Sequence, residues 1–176
     1  QVQFGDYTWS RNNKDGVTPL QGIKNRVNKN TAIHYAKGCS LTSLDTSGIA
    51  EAVEAAKNSE VAVIFGGSAS AALARDYKSS TCGEGFDLND LNLTGAQSQL
   101  IREVYRTGTP VILVLVTGKP FAIEWEKNNL PAILVQWYAG EQAGNSIADI
   151  LFGEVVPSGR LTFSFPRSTG HLPVYY

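Results

Sequence analysis

Cysteine and histidine are scarce in this chain: Cys39, Cys82, His34 and His171 are all that 176 residues contain. Two cysteines permit one disulfide at most, and whether they pair is open from sequence. Four widely separated candidate ligands do not make the closed set that a structural metal site needs, so no metal centre is expected. His34, inside the run 31–36, reads as a satisfied strand residue. Charge of one sign is also lacking. Fifteen Lys and Arg against sixteen Asp and Glu leave a net charge of -1. No clustered basic excess marks a nucleic-acid partner, and no acidic block marks a solvating tail. No apolar stretch approaches the roughly 20 residues that span a bilayer, so no membrane partner is expected. Residues 1–9 are polar and aromatic and do not read as a signal peptide; an export signal would lie upstream or have been removed. Neither GxGxxG nor GxxxxGK[ST] occurs, and no cofactor is expected.

What is present suits one α/β domain over residues 1–176. Three apolar runs, 61–65, 111–116 and 132–137, are continuous rather than alternating. That pattern belongs to parallel strands covered on both faces. Runs 31–36 and 161–165 read as weaker edge strands. Helical spacing falls between the strands. Residues 48–58 place Ile49, Val53 and Ala56 on one face. Residues 94–107 open on Thr94-x-x-Gln97, a capping-box pattern, and end at Gly108 and Pro110. Residues 140–153 carry Ile147, Ile150 and Leu151 at helical spacing, and a short helix follows Pro120. Alternating strand and helix predict a mostly parallel sheet with helices on both faces, an α/β sandwich. Residues 1–30 lack periodicity and read as a loop-rich lead-in. A doubly wound domain normally begins with a core strand, so the segment reads as a piece of something longer.

Ligands of open α/β sheets sit beyond the carboxyl ends of the strands. Three loops qualify: 66–93, 117–119 and 138–140. The first is the longest, and loops of such length are commonly functional. Three chemistries compete there. Gly66-Gly67 after a strand suggests a nucleotide site, but the signal is weak and a tight strand-to-loop turn explains it better. Gly66-Gly67-Ser68-Ala69-Ser70 imitates a nucleophile elbow, with Ser68, Asp149 and His171 in the chain order of an α/β serine hydrolase. Its final glycine is replaced by Ser70, however. The third is the carboxylate of Glu84 between Gly83 and Gly85. Flanking glycines free the backbone and allow close approach of a substrate, and a partly buried glutamate can serve as a general acid. Set against this, a single glutamate on a loop is usually only solvated.

The order of motifs adds to this reading. Gly83-Glu84-Gly85-Phe86-Asp87-Leu88-x-x-Leu91-x-Leu93-x-Gly95-x-Gln97 is similar to a segment of glycoside hydrolase family 3. The strand and turn ending Thr117-Gly118-Lys119-Pro120 resemble the next block of that family. Trp137-Tyr138-Ala139-Gly140-Glu141-Gln142-x-Gly144 follows in the family's order, as do Pro157-Ser158-Gly159-Arg160-Leu161 and Phe165-Pro166. Gly5-Asp6-Tyr7 and Thr18-Pro19-Leu20 resemble the opening of the same domain in xylosidase-like members. The resemblance implies the C-terminal α/β sandwich domain of a retaining β-glucosidase or β-xylosidase. It implies an oligosaccharide or β-glycoside substrate, a periplasmic or secreted location, and Glu84 as the acid/base. The nucleophile would come from an N-terminal barrel domain of the same polypeptide, since no Ser-Asp-Trp-like segment occurs here. Asp76 and Asp87 are local rivals of Glu84. Where members commonly have Asp-Arg, this chain has Asp87-Leu88, so a sugar contact made by that arginine has no counterpart. The alternative from another class is a non-catalytic sugar-binding or interaction module of the same fold.

Overall fold

The computed structural model describes residues 2–5, 7–8, 13–70 and 80–175. Its centre is a parallel sheet in the order β1-β2-β3, formed by β1 (Ala62–Gly67), β2 (Val111–Val116) and β3 (Ala132–Val135). Register pairs Ile64 with Leu113 and Leu113 with Ile133, and the same side of the sheet also receives Leu115 and Val135. Around the sheet lie α1 (Pro19–Arg26), α2 (Ile49–Lys57), α3 (Gln97–Tyr105), α4 (Glu124–Asn129) and α5 (Ala143–Leu151).

Side-chain alternation along β2 divides the core into two layers. Val111, Leu113 and Leu115 join Ile49 and Ala56 of α2, Leu100, Ile101 and Val104 of α3, and Phe121, Ile123 and Leu130 around α4 in one apolar cluster. Val114 and Val116 point to the opposite face and are also buried. That face carries α5, whose Ile147 and Ala148 are buried, and α1, which packs on α5. Leu113, Val114 and Leu115 are fully buried, each worth about 1.5–3 kcal/mol relative to an exposed side chain. The sheet with helices on both faces is the expected α/β sandwich.

Several boundaries and one whole element differ from the sequence expectation. The lead-in contains α1, which begins at a regular cap: Thr18 Oγ1 accepts from Gln21 N–H at 3.2 Å and Pro19 takes the first helical position. Its apolar face is short, Leu20 and Ile23 with Val27 at the end, and its buried residue is Gly22, which docks through close backbone approach. A Cβ on Gly22 would lie 1.9 Å from the Gly144 carbonyl oxygen of α5. The first strand starts at Ala62 and runs to Gly67. The third stops at Val135, and two residues on Trp137 takes φ 57°, a left-handed conformation that no strand continues through. Residues 31–36 form no strand, and His34 is exposed. A cavity of about 720 Å3 lies along the free edge of β1, and residues 30–38 and 61–65 both line it. Residues 161–165 form no strand either. They dock through aromatic contacts instead, Phe163 edge-on to Trp137 at 5.3 Å and Phe165 against the core cluster.

The capping box at Thr94 is also absent. The helix starts at Gln97 after Ala96, and Gln97 is buried. Its Oε1 accepts from Gly67 N–H at 2.8 Å, while Nε2 donates to the carbonyls of Gly67 (3.1 Å), Leu41 (3.2 Å) and Thr94 (3.1 Å). Gln97 is thus a strut that satisfies both backbone groups of the last β1 residue.

Candidate active site

The carboxyl ends of all three strands converge on one small polar cluster. Ser68 follows β1, Thr117 follows β2, and Tyr138 follows β3; the buried Cys82 reaches them from the long loop. Ser68 Oγ lies 2.8 Å from Thr117 Oγ1 and 2.9 Å from Tyr138 Oη, and it accepts from Gly118 N–H at 3.3 Å. Cys82 Sγ sits 3.4 Å from Ser68 Oγ and 3.3 Å from Tyr138 Oη. Donor counting orders the protons. Thr117 donates to the Lys119 carbonyl at 2.8 Å, so its oxygen must accept from Ser68. Tyr138 donates to the Ser68 carbonyl oxygen at 3.2 Å, and the Cys82 thiol donates to Ser68 Oγ. Burial, with the Cys82 thiol beside it, pushes the Tyr138 phenol above its ordinary value, so it remains a donor.

The Tyr138 ring is held between two glycines. A Cβ on Gly5 or on Gly118 would come within 2.7 Å of ring carbons. The segment around Gly5 is itself laced to the turn after β3: Gly140 N–H donates to Gln3 O at 2.9 Å, and Gln3 Nε2 donates to Val17 O at 3.2 Å.

This cluster closes the base of the long loop. Thr81 N–H donates to Ala69 O at 2.7 Å, Ala69 N–H donates to Thr81 Oγ1 at 3.0 Å, and Ser70 bridges Cys82 in parallel fashion. Glu84 stands two residues beyond the buried Cys82, in a turn closed by Phe86 N–H to Gly83 O at 3.1 Å. Gly85, at φ 69°, occupies the third position, where a type II turn requires a left-handed residue. Glu84 is exposed, and so is Asp87. Asp76 lies outside the described residues.

Two sequence expectations lose their geometry here. Ser68 is fully buried with its hydroxyl engaged on every side, so it is not an exposed elbow nucleophile. Its supposed partners are occupied elsewhere: Asp149 faces Arg26 at 3.9 Å, and His171 Nδ1 accepts from Arg167 N–H at 3.3 Å. The Gly66-Gly67 turn presents no phosphate cradle, since Gly67 N–H is taken by Gln97 and Ser68 N–H by Val116 O at 3.0 Å. Both cysteines are free thiols. Among the described residues no group of three or more His, Cys, Asp or Glu could hold a metal ion, and no helix is long and apolar enough to cross a membrane.

Sequence reasoning singled out the three loops but not Thr117, Tyr138 or Cys82 within them. The available signal was positional: the first two fall within three residues of a strand end, on the side where α/β sheets bind ligands.

Comparisons with known proteins agree with this architecture. Residues 1–176 match the glycosyl hydrolase family 3 C-terminal domain. A β-xylosidase of Formosa agariphila is 44% identical over 160 residues, covering 91% of this chain and 21% of that protein. A periplasmic β-glucosidase of Salmonella typhimurium is 40% identical over 91% of this chain and 22% of its own length. Among solved structures, a β-glucosidase from Listeria innocua in complex with isofagomine superposes with a TM-score of 0.82 at 30% identity, covering 99% of this chain and 23% of that one. The chain spans about a fifth of the length of the curated relatives it matches.

Proposed function

This chain belongs to glycosyl hydrolase family 3 as its C-terminal domain, and from that premise we propose that it supplies the acid/base glutamate, Glu84, to a retaining β-glycosidase acting on terminal β-linked glucose or xylose. The observation that carries the reading is an exposed carboxylate on a glycine-flanked turn whose stem is locked to the carboxyl ends of a parallel sheet. A general acid needs this combination: freedom to face a substrate, and a fixed origin that returns it to one place.

In this reading Glu84 first protonates the glycosidic oxygen as the aglycone leaves. It then takes a proton from the water that releases the glycosyl-enzyme. Retention requires a second carboxyl about 5–5.5 Å away, across the anomeric carbon. That nucleophile comes from an N-terminal barrel domain of the parent polypeptide, whose length in the relatives leaves ample room for one. Docking against that domain would also withdraw Glu84 from water. The periplasmic relative supports a periplasmic or secreted location.

The test is Glu84→Gln in the parent enzyme, with aryl β-glucosides and β-xylosides of graded leaving-group pKa. The expected loss in kcat/KM is about a hundredfold or more for poor leaving groups, within the range general acid catalysis supplies. Dinitrophenyl glycosides, which need no proton, should be nearly spared in their glycosylation step. A uniform, mild loss across the series would refute the assignment.

A further inference from the structure

We propose that Tyr138 and Cys82 are positioning residues for the acid/base turn, acting through the Ser68–Thr117 hydroxyl pair to fix where Glu84 stands; the inference rests on Glu84 being the acid. None of the residues 83–87 is buried, and a Cβ on Gly85 would meet nothing within 4 Å. Residues 83 and 85 are glycines, whose backbones resist displacement least. The stem is the buried approach to the turn, and the last buried residue before Glu84 is Cys82, 6% exposed.

Cys82 is anchored at two levels. Its backbone lies in the short bridge to Ser70, with its N–H 3.3 Å from Ala69 O. Its thiol lies within 3.4 Å of Ser68 Oγ and 3.3 Å of Tyr138 Oη. Tyr138 then couples the stem to the other two strand ends and, through the close packing of its ring, to Gly5 and Gly118. Ser68 donates to Thr117, which donates to the Lys119 carbonyl, while the Cys82 thiol donates to Ser68 Oγ and Tyr138 to the Ser68 carbonyl oxygen. Removing one member leaves a buried neighbour unpaired and gives the stem an alternative position. Displacement of a reacting group by about 1 Å can cost on the order of a hundredfold in rate.

Tyr138→Phe in the parent enzyme removes the hydroxyl and keeps the ring between its glycines. The expected result is a fall of about ten- to a hundredfold in kcat/KM on poor leaving groups, with a much smaller loss on dinitrophenyl glycosides. Amides of residues 82–86 should exchange faster with deuterium. In the Glu84→Gln background the same change should cost little more on poor leaving groups, because an absent acid cannot be misplaced. If Tyr138→Phe does not fold, Cys82→Ala carries the test, with Cys82→Ser restoring a donor and most of the rate. Equal losses on all leaving groups, or additive losses with Glu84→Gln, overturn the proposal and leave a merely structural cluster. Should Glu84→Gln itself fail to change the leaving-group dependence, the acid assignment falls and this inference with it. If Glu84→Gln behaves as an acid variant and Tyr138→Phe does not, the positioning role alone is lost.

Discussion

Lys119 is 6% exposed, and its Nζ finds no hydrogen-bond acceptor; it rests over the Phe121 ring, 4.7 Å from the centroid. Burial lowers its pKa below the ordinary 10.5, and the opposing pull of Cys82 and Asp90 is smaller. In the pH window between the folded value and 10.5 the unfolded chain holds the extra proton, so this residue makes stability rise with pH there. Lys119→Met keeps the length and the contact with Phe121 while removing the charge. The variant should gain about 1 kcal/mol at pH 7, and its advantage should shrink as pH rises towards about 10. Urea midpoints of both proteins across that range check this; a lower midpoint at pH 7 would refute it. The Tyr138 phenol acts in the opposite direction at high pH, but it is common to both proteins and cancels in the difference. At this scale the turn that carries Glu84 was legible, because glycines on both sides are a local signal of a turn. Gln97 was legible only as the wrong thing. Its spacing from Thr94 fits a capping box, and only the fold brings Gly67 and Leu41 within reach of its amide.

Elements α1 and α5 meet where a side chain would collide. A Cβ on Gly22 would sit 1.9 Å from Gly144 O, and one on Gly144 would sit 2.1 Å from Thr18 O. Alanine ordinarily stabilises a helix interior by about 1 kcal/mol over glycine. Here Gly22→Ala and Gly144→Ala should each cost about 3 kcal/mol, because the helices must separate. Gly159→Ala, in open space, should change little. Thermal or chemical melts of the three variants decide it, and a gain in stability at Gly22 would refute the packing argument. The same contact explains why α1 escaped the sequence reading. A helix of eight residues offers little apolar period, here Leu20 and Ile23, and its plainer textual marks are Thr18 and Pro19 at its start. The strand expected at 31–36 failed for the complementary reason. Apolar residues suit a strand, but a ladder needs a neighbour, and among the described residues the sheet ends at β1 with no strand paired to its outer edge.

For the whole molecule, the chain alone should be silent on aryl β-glucosides and β-xylosides, since one carboxylate cannot carry out a two-carboxyl displacement. Assay of the purified chain beside its parent enzyme checks this. Turnover by the chain alone that disappears with Glu84→Gln would establish a self-contained site and overturn the prediction. Sequence by itself determined the α/β layering, because three continuous apolar runs with amphipathic segments between them can bury themselves in few other ways. The order of its motifs also carried the family, and with it the choice of Glu84 over a buried serine. Only the tertiary structure decided which side chains gather at the strand ends below the turn that carries Glu84. Ser68, Cys82, Thr117 and Tyr138 are as much as 70 residues apart, and hydrogen bonds between side chains so distant leave no period or spacing in a sequence.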